Sequence, residues 1–92
     1  MNVTNMNANT DAFKIATMTF AQACLLILEE APNTGNLTYA KSYARAGFHM
    51  TSAREINNQA TRILINITHW RGTTATIVRT ALKRIERETN NY

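Results

Sequence analysis

The chain has 92 residues, of which 45% are hydrophobic, so a single domain with a packed core is expected and wholesale disorder is excluded. One cysteine, Cys24, excludes an internal disulfide and fits a reducing, cytoplasmic setting. Residues 1–37 have a net charge of −2 and residues 38–92 one of +6. This asymmetry indicates an acidic partner for the second part, either nucleic acid or an acidic protein surface. A basic, merely solvated helical surface is the alternative.

The first ten residues are polar, rich in Asn and without a hydrophobic period. We therefore predict a disordered tail over residues 1–10 and a single helical domain over residues 11–92. Residues 11–18 fit either a helix or a short extended segment. The chain opens without a basic leader, and its longest apolar run, residues 23–28, is too short to cross a bilayer. We expect no signal peptide and no membrane partner.

A helix is predicted from Thr19 to about Glu30. Thr19 and Gln22 have the spacing of a capping box, which satisfies free backbone N–H groups at a helix start. The apolar residues of this helix lie nearly all round it, as in a helix that is buried on more than one face. A chain of this size has little core to bury them in, so we expect a homodimer.

A short second helix, Tyr39–Ala46, should follow the loop formed by residues 31–36. We predict that Asn36 or Thr38 caps its start. Gly47 is predicted to end it as a left-handed C-cap, because glycine adopts that conformation without a steric cost.

The central helix is predicted to run from Thr51 to Trp70, with a capping box between Ser52 and Glu55 and Gly72 beyond its end. Its apolar residues recur in steps of three and four, which is the spacing of one helical face. They are Ala53, Ile56, Ala60, Ile63, Ile67 and Trp70.

The last helix is predicted to begin at a cap on Thr73 or Thr74 and to reach about Glu88. Because the connection to the central helix is short, the two should form an antiparallel hairpin. The predicted fold is therefore all-α: a small bundle of about four helices with a C-terminal antiparallel helical hairpin. The core face of the last helix consists of Ala75, Val78, Ala81, Leu82 and Ile85.

The sequence carries no catalytic signature. It has no GxSxG, HExxH or phosphate-binding loop motif, and His49, His69 and Cys24 lack the spacing of metal ligands. We predict a non-enzymatic protein without a metal or another cofactor.

Basic side chains on the last helix are candidates for phosphate contacts. Arg79, Lys83 and Arg87 occupy successive turns, and Arg84 and Arg71 flank them. Such a stripe could neutralise phosphates of DNA or RNA. None of the three stripe residues belongs to the predicted core face, so we expect the fold to survive their replacement. A solvated stripe screened by nearby glutamates is the alternative.

The central helix has a polar face whose groups could hydrogen-bond to bases. A short helix followed by a longer capped one is also the outline of a helix-turn-helix. Tyr43, four residues before Gly47, and a second helix of about 19 residues fit that motif poorly. The candidate base-contacting residues are Arg54, Asn58 and Arg62, accompanied by Asn57, Thr61, Asn66 and His69.

Aromatic residues could instead anchor a protein interface. For Trp70, which lies on the central stripe, core packing is the better interpretation. The other candidates are Tyr39, Tyr43 and Phe48.

Several short patterns stand out over residues 19–85. They are Tyr39-Ala-x-x-Tyr43-Ala-x-Ala46-Gly47, Gln59 with residues 63–66, Trp70-Arg71-Gly72, and Val78 with Leu82-Lys83. Together they resemble small uncharacterised proteins of bacteriophages and mobile elements. The resemblance implies no activity, but it implies a phage-derived protein in a bacterial cytoplasm. We predict a small basic regulator of phage type that binds nucleic acid, and the alternative is an inhibitor or adaptor that binds a host protein through helical surfaces.

Overall fold

Helices form all the regular structure of the described part of the chain. The computed structural model describes residues 3–90, with side chains from Thr10 onward. The all-α prediction is confirmed, although this part of the chain has five helices rather than about four. They are α1 (Val3–Thr17), α2 (Phe20–Glu30), α3 (Asn36–Gly47), α4 (Ala53–Asn66) and α5 (Thr73–Glu88).

Helix α1 begins inside the segment that was expected to be a tail. It starts at Val3 and continues through residues 11–17, so helix is the correct alternative for most of the ambiguous stretch. Residues 1–2 of the predicted tail lie outside the described residues. The division of the chain into a tail and one domain stays a prediction.

Helix α2 begins at the predicted capping box, with both bonds formed. The Gln22 N–H donates to Thr19 Oγ1 at 3.1 Å, and the Thr19 N–H donates to Gln22 Oε1 at 2.9 Å. The helix buries Phe20 and Cys24, whereas Leu25 is 43% exposed. One flank of this apolar helix is therefore left on the surface of the single chain.

Two glycines at the ends of α3, Gly35 and Gly47, have roles that the sequence did not predict. The N-cap is Gly35, with φ at +53°, rather than Asn36 or Thr38. Gly47 lies in the last turn without a positive φ, so the predicted left-handed cap is wrong. A Cβ added to Gly47 would stand 2.9 Å from Phe20 Cε2 and 3.2 Å from Gln59 Cγ. Glycine is needed here because α2, α3 and α4 approach one another closely.

Helix α4 is shorter than predicted and ends at Asn66. Its start agrees with the sequence, because Ser52 Oγ accepts the Glu55 N–H at 3.3 Å. Beyond its end the chain turns, and the Trp70 N–H donates to Ile67 O at 3.0 Å. Ile67 and Trp70 are both buried, so the apolar spacing continues past the end of the helix itself.

Helix α5 begins after Gly72, whose φ of +113° favours glycine, instead of at a threonine cap. Thr74 Oγ1 donates to Glu30 Oε1 at 3.1 Å and so links α5 to the end of α2. All five predicted core residues of α5 are buried, together with Ile77.

The core lies where α2, α3, α4 and α5 meet. Early α4 residues pair with late α5 residues, because Asn57 Nδ2 donates to Glu86 O at 2.8 Å. The largest fully buried side chains are Ile27, Ile63, Ile67, Leu82, Val78 and Cys24.

Across the described residues no single helix is both long and apolar enough to cross a membrane. The segments Thr10–Thr17 and Phe20–Glu30 meet the criteria of length and composition only as a pair, and that pair is bent by 118°.

Replacing Gly47 with Ala should lower the free energy of unfolding by about 1–3 kcal/mol, because overpacking against the buried Phe20 ring outweighs the gain of about 1 kcal/mol in helix propensity. Urea denaturation measures the change. In a Phe20→Leu background, which lacks the outer ring atoms, the same substitution should cost less. A more stable Gly47→Ala protein would contradict the close approach.

Candidate nucleic-acid interface

Arg79 is part of the framework of the bundle. It is half-buried, and its Nη2 donates to Ile67 O at 2.9 Å and to Trp70 O at 2.6 Å. Ile67 is the C-cap of α4, where a positive charge also complements the helix dipole, and Trp70 lies in the connection that follows. These contacts were not expected from the sequence, and they lead us to expect that loss of Arg79 destabilises the fold.

Arg84 has a similar role at the end of α1. Its Nε donates to Ile15 O at 3.1 Å, and its Nη2 donates to Met18 O. Its Nη1 also forms an ion pair with Glu88 Oε1 at 2.6 Å. These contacts direct Arg84 toward α1 and away from the predicted phosphate stripe.

The remaining predicted site residues are exposed. Lys83 and Arg87 line a groove of about 430 Å³ together with Thr61 and Ile65 of α4. The structure thus brings basic side chains of α5 to the outer surface of α4, a convergence that sequence spacing within one helix does not reveal. The exposed predicted residues are Arg54, Asn58, Arg62, Arg71, Lys83 and Arg87.

Some polar groups of α4 that were candidates for base contacts stabilise the protein instead. Thr61 Oγ1 donates to Glu86 Oε2 at 2.6 Å, and Asn57 Nδ2 donates to Glu86 O. Asn66 Nδ2 donates to Arg62 O at 2.9 Å. Glu86 lines the groove, where its carboxylate offsets part of the positive charge.

Gln59 orients Arg62 at the surface. Arg62 Nη1 donates to Gln59 Oε1 at 3.0 Å, and Gln59 Nε2 donates to Tyr43 O at 2.8 Å. Gln59 is only 4% exposed, so the side chain that accepts the hydrogen bond from Arg62 is itself held in place by packing.

We use the name basic face for the exposed surface that these two helices share. On α4, the spacing of the residues places them along one side of the helix, over about 16 Å of helical rise. Sequence reasoning missed Ile65, which is 67% exposed, because it stands in an apolar run beside the half-buried Leu64. Its helical offset of seven residues from Asn58 was the available signal. The basic face consists of Arg54, Asn58, Arg62 and Ile65 on α4 with Lys83 and Arg87 on α5.

The aromatic candidates divide between core and surface. Trp70 is 5% exposed and belongs to the core, as predicted. Tyr43 is partly buried and packs against the core. Tyr39 is 62% exposed and Phe48 is 38% exposed, so these two remain available to a partner.

Metal-binding and thiol chemistry gain no support from the described residues, in which no three side chains of His, Cys, Asp or Glu cluster. Burial raises the pKa of the Cys24 thiol to about 12. The thiol therefore stays protonated in the folded protein, and the stability that this burial provides declines as the pH rises above about 9.

No protein-family model matches the chain, and neither a curated protein nor a solved structure is significantly similar to it. The surface of the protein itself is therefore the basis on which a function can be assigned.

Arg79→Gln should lower the free energy of unfolding by about 1–3 kcal/mol, because it leaves the carbonyls of Ile67 and Trp70 without their charged donor. Thermal and urea denaturation would measure this loss. Lys83→Gln removes the same charge from the exposed side of the same helix and should change stability by less than about 0.5 kcal/mol. Equal effects of the two substitutions would show that the Arg79 contacts add nothing to stability.

Proposed function

We propose that the protein is a small, non-enzymatic regulator of phage type that binds nucleic acid through the basic face. The observation that carries this proposal is the groove in which Lys83 and Arg87 of α5 meet the exposed side of α4. Binding would take place in the cytoplasm of a bacterial host.

Charge and exposure support this use of the surface. Phosphate contacts require cations that a polyanion can approach from the solvent. The side chains that meet this requirement by their exposure are Arg54, Arg62, Lys83 and Arg87. Because two helices carry them, the cations are spread over a surface instead of along one line. In the proposed arrangement, an antiparallel α4–α5 hairpin supports the surface and Arg71 lies at its connecting turn.

The length of α4 also favours this function. It has 14 residues rather than about 19, which removes one objection to a helix-turn-helix formed by α3, residues 48–52 and α4. In that arrangement α4 is the helix that contacts bases, and Asn58 lies in its middle.

A double variant tests the proposal. Lys83→Gln with Arg87→Gln should weaken binding to duplexes of every sequence to a similar degree, because phosphate contacts carry no sequence information. The slope of log K against log salt concentration should flatten by up to about 2 units if each side chain releases one counterion.

The matched control is Arg45→Gln, compared with Lys83→Gln alone, because it removes one charge from an exposed position on α3 outside the basic face. It should leave the slope close to that of the wild type. If the wild-type protein binds neither DNA nor RNA of mixed sequence at low salt, the proposal fails. The exposed Tyr39 and Phe48 would then favour an inhibitor or adaptor that binds a host protein.

We further propose that the protein is a homodimer. A groove of about 340 Å³ between α1 and α2 is lined by Phe13, Met18, Leu25 and Leu26, and Phe13 is 68% exposed. A twofold contact would bring the same exposed ring to the groove of each copy, as an isologous interface requires.

Light scattering measures this association. Leu25→Gln should shift the particle from the dimer mass to the monomer mass of 10.4 kDa, because it places a polar group in the apolar contact. Tyr39→Gln changes an exposed residue on α3, away from that groove, and should leave the dimer intact. A wild-type protein that is monomeric at high micromolar concentration would rule the dimer out.

A further inference from the structure

Ile65 is the one side chain of the basic face that cannot bind a phosphate. It is 67% exposed, although a β-branched apolar side chain gains stability from burial. Arg62 stands one turn earlier on the same side of α4, and Lys83 and Arg87 line the same groove as Ile65. An exposed methyl-bearing group therefore shares a groove with two cations, Lys83 and Arg87, and with the Glu86 carboxylate, which already bonds to Thr61.

The charge of the basic face favours a polyanion as the occupant, and the proposed function makes that polyanion a nucleic acid. A purely apolar partner that covered Ile65 would also cover Arg62 and Lys83 and would leave their charges without counterions. A nucleic acid provides phosphates for the cations while its base edges meet the centre of the contact.

The form of that nucleic acid follows from the shape and chemistry of the basic face. None of its six members is aromatic, whereas single strands are bound by stacking on aromatic rings. The major groove of A-form RNA is too deep and narrow for a helix, but that of B-form DNA admits one. Duplex DNA is thus the occupant that an exposed α4 fits.

We propose, as an extension of the proposed function, that α4 enters the major groove of duplex DNA and that Ile65 contacts the methyl group of a thymine. Thymine alone among the four bases presents a methyl group in that groove. Asn58, two turns earlier on the same side, has the amide that pairs with an adenine edge. The protein would therefore prefer sites rich in A·T pairs, even though its phosphate contacts are indifferent to sequence.

The test compares two synthetic duplexes, alternating poly(dA-dT) and alternating poly(dA-dU), which differ only in the thymine methyl group. Wild-type protein should bind the thymine duplex about fourfold more tightly, as expected for the burial of one methyl group. Ile65→Ala should remove this preference and keep the salt dependence. Tyr39→Ala, which truncates an exposed side chain on α3 outside both the basic face and the α1–α2 groove, should retain the preference.

The outcomes separate this inference from the function on which it rests. Equal affinity of the wild type for the two duplexes, with a steep salt dependence, would overturn the thymine contact and leave nucleic-acid binding in place. Tighter binding to RNA or to a single strand would overturn the choice of duplex DNA. Absence of binding to every nucleic acid would refute both. Thermal denaturation of Ile65→Ala checks its fold, which should be intact because the side chain is exposed.

Discussion

The packing of the helices depends on cations that reach the carbonyl ends of other helices. Among the described residues, Lys41 Nζ donates to Ala31 O at the end of α2 at 2.7 Å, Arg79 contacts the end of α4, and Arg84 contacts the end of α1. The last carbonyls of a helix have no partner within it, and they carry the negative end of its dipole. A cation from a neighbouring helix satisfies both, so each such contact fixes one helix end against another helix.

The same principle explains the acidic end of α2. Glu30 is unfavourable for its own helix, because a negative charge there opposes the dipole. In the folded protein, however, its carboxylate accepts a hydrogen bond from Thr74, in the first turn of α5. A negative charge is favourable at that helix start, so a residue that is poor locally is stabilised by the tertiary arrangement.

The sequence predicts the features that depend on near neighbours in the chain. The Thr19 capping box and the buried face of α5 are examples, because both follow from spacings of three and four residues. Sequence reasoning fails where a contact between residues far apart in the chain determines the structure. Gly47 lies in helical backbone and leaves room for the ring of Phe20, 27 residues earlier, and Arg79 is half-buried because its guanidinium reaches the carbonyls of Ile67 and Trp70. The exposure of Ile65 could not be predicted for the same reason, since only the position of α5 shows which side of α4 remains exposed.

The framework contacts also determine how the basic face can function. Arg79 joins α5 to the end of α4, and Asn57 and Thr61 join the second and third turns of α4 to Glu86 near the end of α5. These contacts lie on either side of Lys83 along α5, so they hold that part of α5 against α4. For the nucleic-acid binding that we propose, a surface that is already arranged would lose less conformational entropy, so more of its phosphate attraction would be retained as affinity. Loss of Arg79 would then weaken such binding through misplaced neighbours, whereas loss of Lys83 would weaken it through charge alone.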